Sequence, residues 1–97
     1  MQSQQLESYE SFEEARDTVE EMNANSAKLT YYVLEENGSE MGREQLEEET
    51  MLPGRTLREA FNKLEDEGVA YRRNNPMNQS EKFYGLNVEE FEGGPLF

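Results

Sequence analysis

The run GREQLEEETMLPGRTLREAFNKLEDEGVAYRR, from Gly42 to Arg73, constrains this chain more than any other feature. It reads as two helices, a tight turn between them and the start of a strand. In the second helix Leu57, Ala60, Phe61 and Leu64 recur at i, i+3, i+4, i+7 and form one apolar stripe, while Arg55, Arg58, Glu59 and Asn62 project from the other side. A helix divided in this way buries one face and presents the other to a partner. Pro53 and Gly54 open it, because a first-turn position has no helical acceptor to serve, and Gly68 closes it. In the preceding helix Leu46 is the main apolar residue, and Met51 and Leu52 enter the turn. The run Glu47, Glu48, Glu49 is a solvated face: adjacent helical residues point apart, and the Asp, Asn and Gly spacing of a calcium loop is missing.

The 97 residues make one small domain with a modest core and, lacking cysteine, no disulfide to reinforce it. Histidine is absent too, which removes the usual zinc ligands and the Cys or His members of nucleophilic triads. Carboxylates are abundant but no convergent pair is evident, so the chain reads as a non-enzyme without metal or cofactor. No apolar run approaches the roughly 18 residues that cross a bilayer, and MQSQQLESYE lacks the charged and apolar regions of a signal peptide. The expectation is a cytoplasmic protein with no membrane partner.

Twenty-two acidic residues against nine basic give a net charge of -13, an unpromising total for phosphate binding. The distribution matters more. Only Arg16 and Lys28 lie before residue 43, whereas seven bases fall between Arg43 and Lys82. A large Glu excess with few Lys suits a cytoplasm of very high salt, where carboxylates hold water and cations and their repulsion is screened. The composition therefore points to a halophile, an archaeon. An acidic mesophilic protein with a basic partner is the other reading of the same numbers.

Before the central run, residues 1–10 read as a flexible tail. Ser11 with Glu14 forms a capping box for a helix within 11–24 carrying Phe12, Ala15, Val19 and Met22. Asn23 to Ser26 break it, and a helix from about Ala27 to Asn37 follows, stopped by Gly38. That helix has two apolar stripes: Leu29, Tyr32 and Val33, and Ala27, Tyr31 and Leu34. One faces the core, and the other is expected to meet the N-terminal helix of the same chain or of a second copy. After Gly68, Val69 to Arg73 read as a strand, residues 74–80 as a polar loop, and Phe83 to Leu86 as a returning strand, with Val69, Tyr71, Phe83 and Leu86 inward. Residues 89–97 read as a C-terminal tail whose Phe91, Leu96 and Phe97 cap the core or touch a partner.

Residues 26–86 resemble the winged helix-turn-helix domains of archaeal and bacterial transcription regulators of the MarR type. The resemblance rests on LEENG (34–38), TMLPGRTLREAFNKLEDEG (50–68) and the Val69-Ala70-Tyr71-Arg72-Arg73 strand together. It implies an α+β, mainly helical fold, with a three-helix core and a β-hairpin wing over 25–88 and an extra N-terminal helix. It also implies that residues 53–67 form a recognition helix with Arg55, Thr56, Arg58 and Asn62 near double-stranded DNA, and that Arg72, Arg73 and the wing flank the backbone. The wing carries one base, Lys82.

The chemistry of these residues agrees in part, since Arg makes bidentate pairs with guanine and Asn with adenine. Arg55 can instead pair with Glu59 at i, i+4. Of the strand arginines, Arg72 follows the inward Tyr71 and is the expected phosphate contact. The functional expectation is a sequence-specific DNA-binding transcription regulator that pairs as a homodimer. The alternative is an acidic winged-helix module that docks on protein without binding DNA.

The charge excess yields a first test. Melting temperature should rise when potassium chloride is raised from about 50 mM to about 2 M, as screening relieves the acidic repulsion. An unchanged melting temperature would remove the halophile reading.

Overall fold

The computed structural model of the protein describes residues 8–92. Helix α1 (Phe12–Glu20) begins where the capping box places it: Ser11 Oγ accepts the Glu14 amide at 3.2 Å, and Glu14 Oε1 accepts the Glu10 amide at 3.0 Å. Helix α2 (Asn25–Asn37) starts two residues earlier than expected, because Asn25 and Ser26 already belong to its first turn and the Ser26 carbonyl accepts Thr30 Oγ1 at 2.8 Å. It ends on Gly38 at φ 82, whose amide returns to the Leu34 carbonyl at 3.0 Å. Glycine takes this left-handed cap without steric cost.

A two-residue strand, β1 (Met41–Gly42), precedes α3 (Arg43–Thr50) and has no counterpart in the sequence reading. The turn to α4 (Gly54–Asp66) passes through Met51, a non-glycine residue at φ 60. Pro53 stands just outside α4 and accepts the Leu57 amide at 2.9 Å. Strands β2 (Ala70–Asn75) and β3 (Asn78–Leu86) complete a three-stranded antiparallel sheet in the order β1-β3-β2. The described residues thus form a small α+β domain of four helices and one sheet, with about half of them helical.

The sheet corrects the expected hairpin in two respects. The segment 74–80, read as a loop, is strand on both sides of a turn whose only two unpaired residues are Pro76 and Met77, because Asn75 is registered with Asn78. Its polar side chains serve the turn: Asn75 Oδ1 accepts the Met77 amide at 2.9 Å and Asn78 Oδ1 accepts the Ser80 amide at 3.2 Å. The second correction concerns facing. The register pairs Arg72 with Tyr84 and Tyr71 with Gly85, and Tyr84 packs edge-on against the buried Phe61 of α4, with ring centroids 4.8 Å apart. Ala70, Arg72, Tyr84 and Leu86 therefore face the helices, while Tyr71 and Phe83 lie on the opposite side.

Tyr71 is nevertheless buried. It lies over Gly85, where a Cβ would come within 2.5 Å of its Oη, and its hydroxyl donates to Glu40. Glu40 immediately precedes β1, so continuing the Met41-to-Tyr84 register sets it opposite Gly85 from the other side. Arg73 adds two hydrogen bonds to Glu40, of 3.0 and 2.8 Å. The absent side chain at Gly85 is what lets β1 and β2 join across the central strand.

In the core, Ala27, Tyr31 and Leu34 of α2 meet Leu57, Phe61 and Leu64 of α4, with Leu46 from α3 and Ala15 and Val19 from α1. The other α2 stripe is less covered: Tyr32 and Val33 are half-buried, and Leu29 is 40% exposed. Two residues that the sequence reading leaves in tails are tied in. Tyr9 exchanges backbone bonds with Asn87 and Glu89 at 2.9 and 2.8 Å, and Phe91 is buried. Residues 1–7, Leu96 and Phe97 lie outside the described residues.

Burial raises the affinity of the Glu40 carboxyl for its proton, but the bonds from Arg73 and Tyr71 and the Arg73 charge outweigh it, leaving the carboxyl below its ordinary value of 4.5. A depressed carboxyl contributes stability that is present above the ordinary value and is lost as pH falls through the folded one. Glu40→Gln should cost about 1–2 kcal/mol at pH 7. In urea titrations, the gap between wild type and variant should close below pH 4.5. A gap that is constant with pH would show that Glu40 acts by shape alone.

Candidate nucleic-acid interface

The two faces of α4 are separated as its sequence requires. Leu57, Ala60, Phe61 and Leu64 are buried, and Arg55, Arg58, Glu59 and Asn62 are exposed. Thr56 is half-buried at the edge of the buried face. The Arg55 side chain is 87% exposed and only loosely paired with Glu59, at 3.9 Å, an arrangement that contributes little to stability. Among the described residues Arg58 has no ion pair and no side-chain hydrogen bond. Its guanidinium keeps all of its donors for a partner.

Arg72 departs most from expectation. Facing α4 rather than solvent, it makes a two-pronged pair with Glu65 at 2.7 and 3.0 Å, donates to Asn62 Oδ1 at 2.9 Å and lies 5.7 Å from the centre of the Phe61 ring. The hydrogen bond to Glu65, with the attraction between the charges, outweighs desolvation and holds the guanidinium above its ordinary value. This is a brace between sheet and helix, and it also engages the acceptor half of the Asn62 amide. The expected readout residues Arg55, Arg58 and Asn62 thus share one exposed side of α4, and the expected phosphate contact is tied to that same helix.

Beside α4 lies a cleft of about 520 Å³, walled by the start of α3, the first half of α4, and β3 from Ser80 to Tyr84. Four cations line it, Arg43, Arg58, Arg72 and Lys82, against two carboxylates, Glu44 and Glu81. In a chain of net charge -13 the cleft gathers bases, and with Glu47 and Glu65, the partners of Arg43 and Arg72, the local balance is even. Arg43 is paired with Glu47 at 2.9 Å and Arg72 with Glu65, whereas Lys82 Nζ meets only a neutral acceptor, Asn74 Oδ1, at 2.7 Å. No side chain caps the N-terminus of α3 or of α4, and residues 42–45 and Gly54 are part of the cleft wall. First-turn amides carry the positive end of the helix dipole. Arg58, Lys82 and these amides are the parts of the lining that favour an anion, and Glu44 and Glu81 oppose it.

The structure therefore brings together three of the residues singled out from sequence, Arg58, Arg72 and Lys82, and sets Arg55, Thr56 and Asn62 outside the cleft. It adds Arg43, which sequence reasoning passed over. A signal existed: an arginine in the first turn of a helix opposes the dipole and needs a reason. Gly54 packs beneath the Arg43 and Glu47 pair, where a Cβ would stand 2.9 Å from Arg43 Nη2, so its missing side chain leaves room for that pair over the start of α4.

Among the described residues no group of three or more His, Cys, Asp or Glu is arranged to hold a metal ion, and no helix is long and apolar enough to cross a membrane. Comparison with protein-family models, curated proteins and solved structures finds no match to this chain. Its function has to be argued from these side chains.

The contrast between Arg72 and Arg58 is measurable without any ligand. Arg72→Ala should lower stability by about 1–3 kcal/mol, through loss of a two-pronged, half-buried ion pair and of its contact with Phe61. Arg58→Ala should stay within about 0.5 kcal/mol of wild type. Equal losses in chemical denaturation would contradict the brace.

Proposed function

We propose that this chain is a winged helix-turn-helix module that binds double-stranded DNA and acts as a sequence-specific transcription regulator. In this reading α4 is the recognition helix and the β2 and β3 hairpin is the wing. The observation that carries it is the segregation of charge: Arg55, Arg58 and Asn62 on the open side of α4, next to a cleft lined by Arg43, Arg58, Arg72 and Lys82. The succession of three helices, α2, α3 and α4, followed by the β2 and β3 hairpin is compatible with such a module. Arg55 and Arg58 supply donors to base edges, and Asn62 offers the amide nitrogen that Arg72 leaves free. Arg43 and Lys82 meet phosphates from the cleft beside the helix. Arg72 contributes its charge from a fixed position while it holds α4 against the sheet.

Pairing belongs to the same proposal. Leu29, Tyr32 and Val33 form the less covered side of α2, and a second copy seated there would carry a second α4 to the next major groove, about one helical turn away.

Fluorescence anisotropy with a duplex selected from a random pool tests the reading. The double variant Arg55→Ala, Arg58→Ala should fold normally and lose about 1–3 kcal/mol of binding for each base contact removed. Acids carried close to the phosphates must take up cations as the bases release them, so affinity should fall with salt less steeply than for a basic repressor. Equal affinity of wild type and double variant would remove the recognition-helix assignment and favour a protein-docking module whose acidic surface meets a basic partner.

A further inference from the structure

The end of the described chain leaves the fold in a defined direction. Phe91 is buried, and the Glu92 amide donates to the Gly38 carbonyl at 3.1 Å, which seats Glu92 beside Ser39 in parallel. Ser39 stands two residues before β1, and β3 already occupies the inner side of Met41 and Gly42. A chain continuing in that direction meets the outer edge of β1, which no strand among the described residues covers. Asn37 and Met41, two residues to either side of Ser39, both line a pocket of about 340 Å³ between α2 and α3, whose other walls are Tyr32, Val33, Glu36 and Glu49. Its apolar members thus sit between two carboxylates, at one end of the less covered stripe of α2.

Five residues follow Glu92, GGPLF. They carry no charged side chain, and two of them, Leu96 and Phe97, are large and apolar. Gly93 and Gly94 bring no side chain to crowd an edge, and Pro95, which lacks an amide to donate, is a residue that sheet edges accept. Extended, five residues span about 17 Å. The pocket begins at the neighbours of Ser39 and reaches back along α2 by one turn, about 6 Å, to Val33. A second copy seated here would bring carboxylates toward Glu36 and Glu49, whereas this segment brings no acidic side chain.

We infer that residues 93–97 run along the outer edge of β1 and that Leu96 and Phe97 fill this pocket, shielding Tyr32 and Val33 from a second copy. The docking stands on the path of the chain and on the pocket, and the shielding rests on the pairing proposed above for the same face of α2. The segment is then a brake on pairing. Only a chain whose segment has left the pocket offers its α2 stripe to a partner, and the apparent affinity for pairing falls with the fraction of chains in that state.

The experiment is nuclear magnetic resonance on the 97-residue chain with labelled valine and methionine methyl groups, at a concentration where sedimentation shows single copies. A chain ending at Glu92 and the double variant Leu96→Ser, Phe97→Ser stand beside it. Wild type should show contacts from the Phe97 ring to the Val33 and Met41 methyl groups, and both altered chains should lose them and shift those two signals. The methyl signals of Val19 and Val69, which lie in the core, should stay in place and report an intact fold. Both altered chains should also pair at a concentration about tenfold lower than wild type. Val33 and Met41 signals that are the same in all three chains, without contacts from Phe97, overturn the docking. So does a contact seen only between copies in a mixture of differently labelled chains. Contacts within one chain combined with pairing that truncation leaves unchanged overturn the brake, and three chains that stay single at every concentration remove pairing on α2 itself.

Discussion

The placement of α4 runs through one ring. Phe61 is fully buried, meets Tyr84 of the central strand edge-on with planes at 87°, and carries the Arg72 guanidinium near its face. An aromatic pair of this geometry contributes about 0.5–1.5 kcal/mol beyond the area it buries. Its directional effect matters more for the site. Phe61 fixes how far α4 sits from the sheet, and Arg72, by gripping Glu65 and Asn62 on either side of it, fixes the rotation of the helix about its own axis. With both set, Arg55 and Arg58 can point only outward, and the gap between α4 and β3 stays open as the cleft.

What the sequence made legible follows the periodicity of single elements. The α4 stripe, the Ser11 cap and the Gly38 stop each depend on residues within one turn of each other, and all three stand as read. Features that failed depend on contacts between distant segments. Tyr71 and Phe83 look inward by hydrophobicity, yet the absent side chain at Gly85 gives Tyr71 a buried seat on the other face of the sheet, and Arg72 takes the inward position because Glu65 is there to receive it. Two residues of β1 carry no periodicity at all. The polar run 74–80 resembles a loop by composition, but its asparagines stitch a tight turn. Of the candidate site, the α4 residues were readable because they are neighbours on one helix. The cleft was not, because Arg43 joins Arg58 and Lys82 only through the packing of α3 against α4 and β3.

The charge pattern makes sense at the level of pairs. Arg16, Arg43, Arg55, Arg72 and Arg73 each stand beside a carboxylate. The more exposed of these pairs, at Arg16, Arg43 and Arg55, add little stability. What the pairs do together is spend most of the arginines on the chain's own acids, leaving Arg58 and Lys82 at the cleft without a carboxylate partner among the described residues. On a surface that is otherwise strongly acidic, the cleft is thus a place where two bases stand without a carboxylate of their own.

The two-residue strand β1 has a mechanical consequence. It pairs with β3 only at Phe83 and Tyr84, so the inner part of β3 is held from both sides while Asn78 to Lys82 is held by β2 alone. The hairpin is a cantilever clamped at its root, with its irregularity between Asn74 and Asn75, well out toward the free end. The clamp itself, Met41 and Gly42, runs directly into the first turn of α3. The root of the hairpin is thereby tied to the start of α3, while its outer half depends on β2 alone.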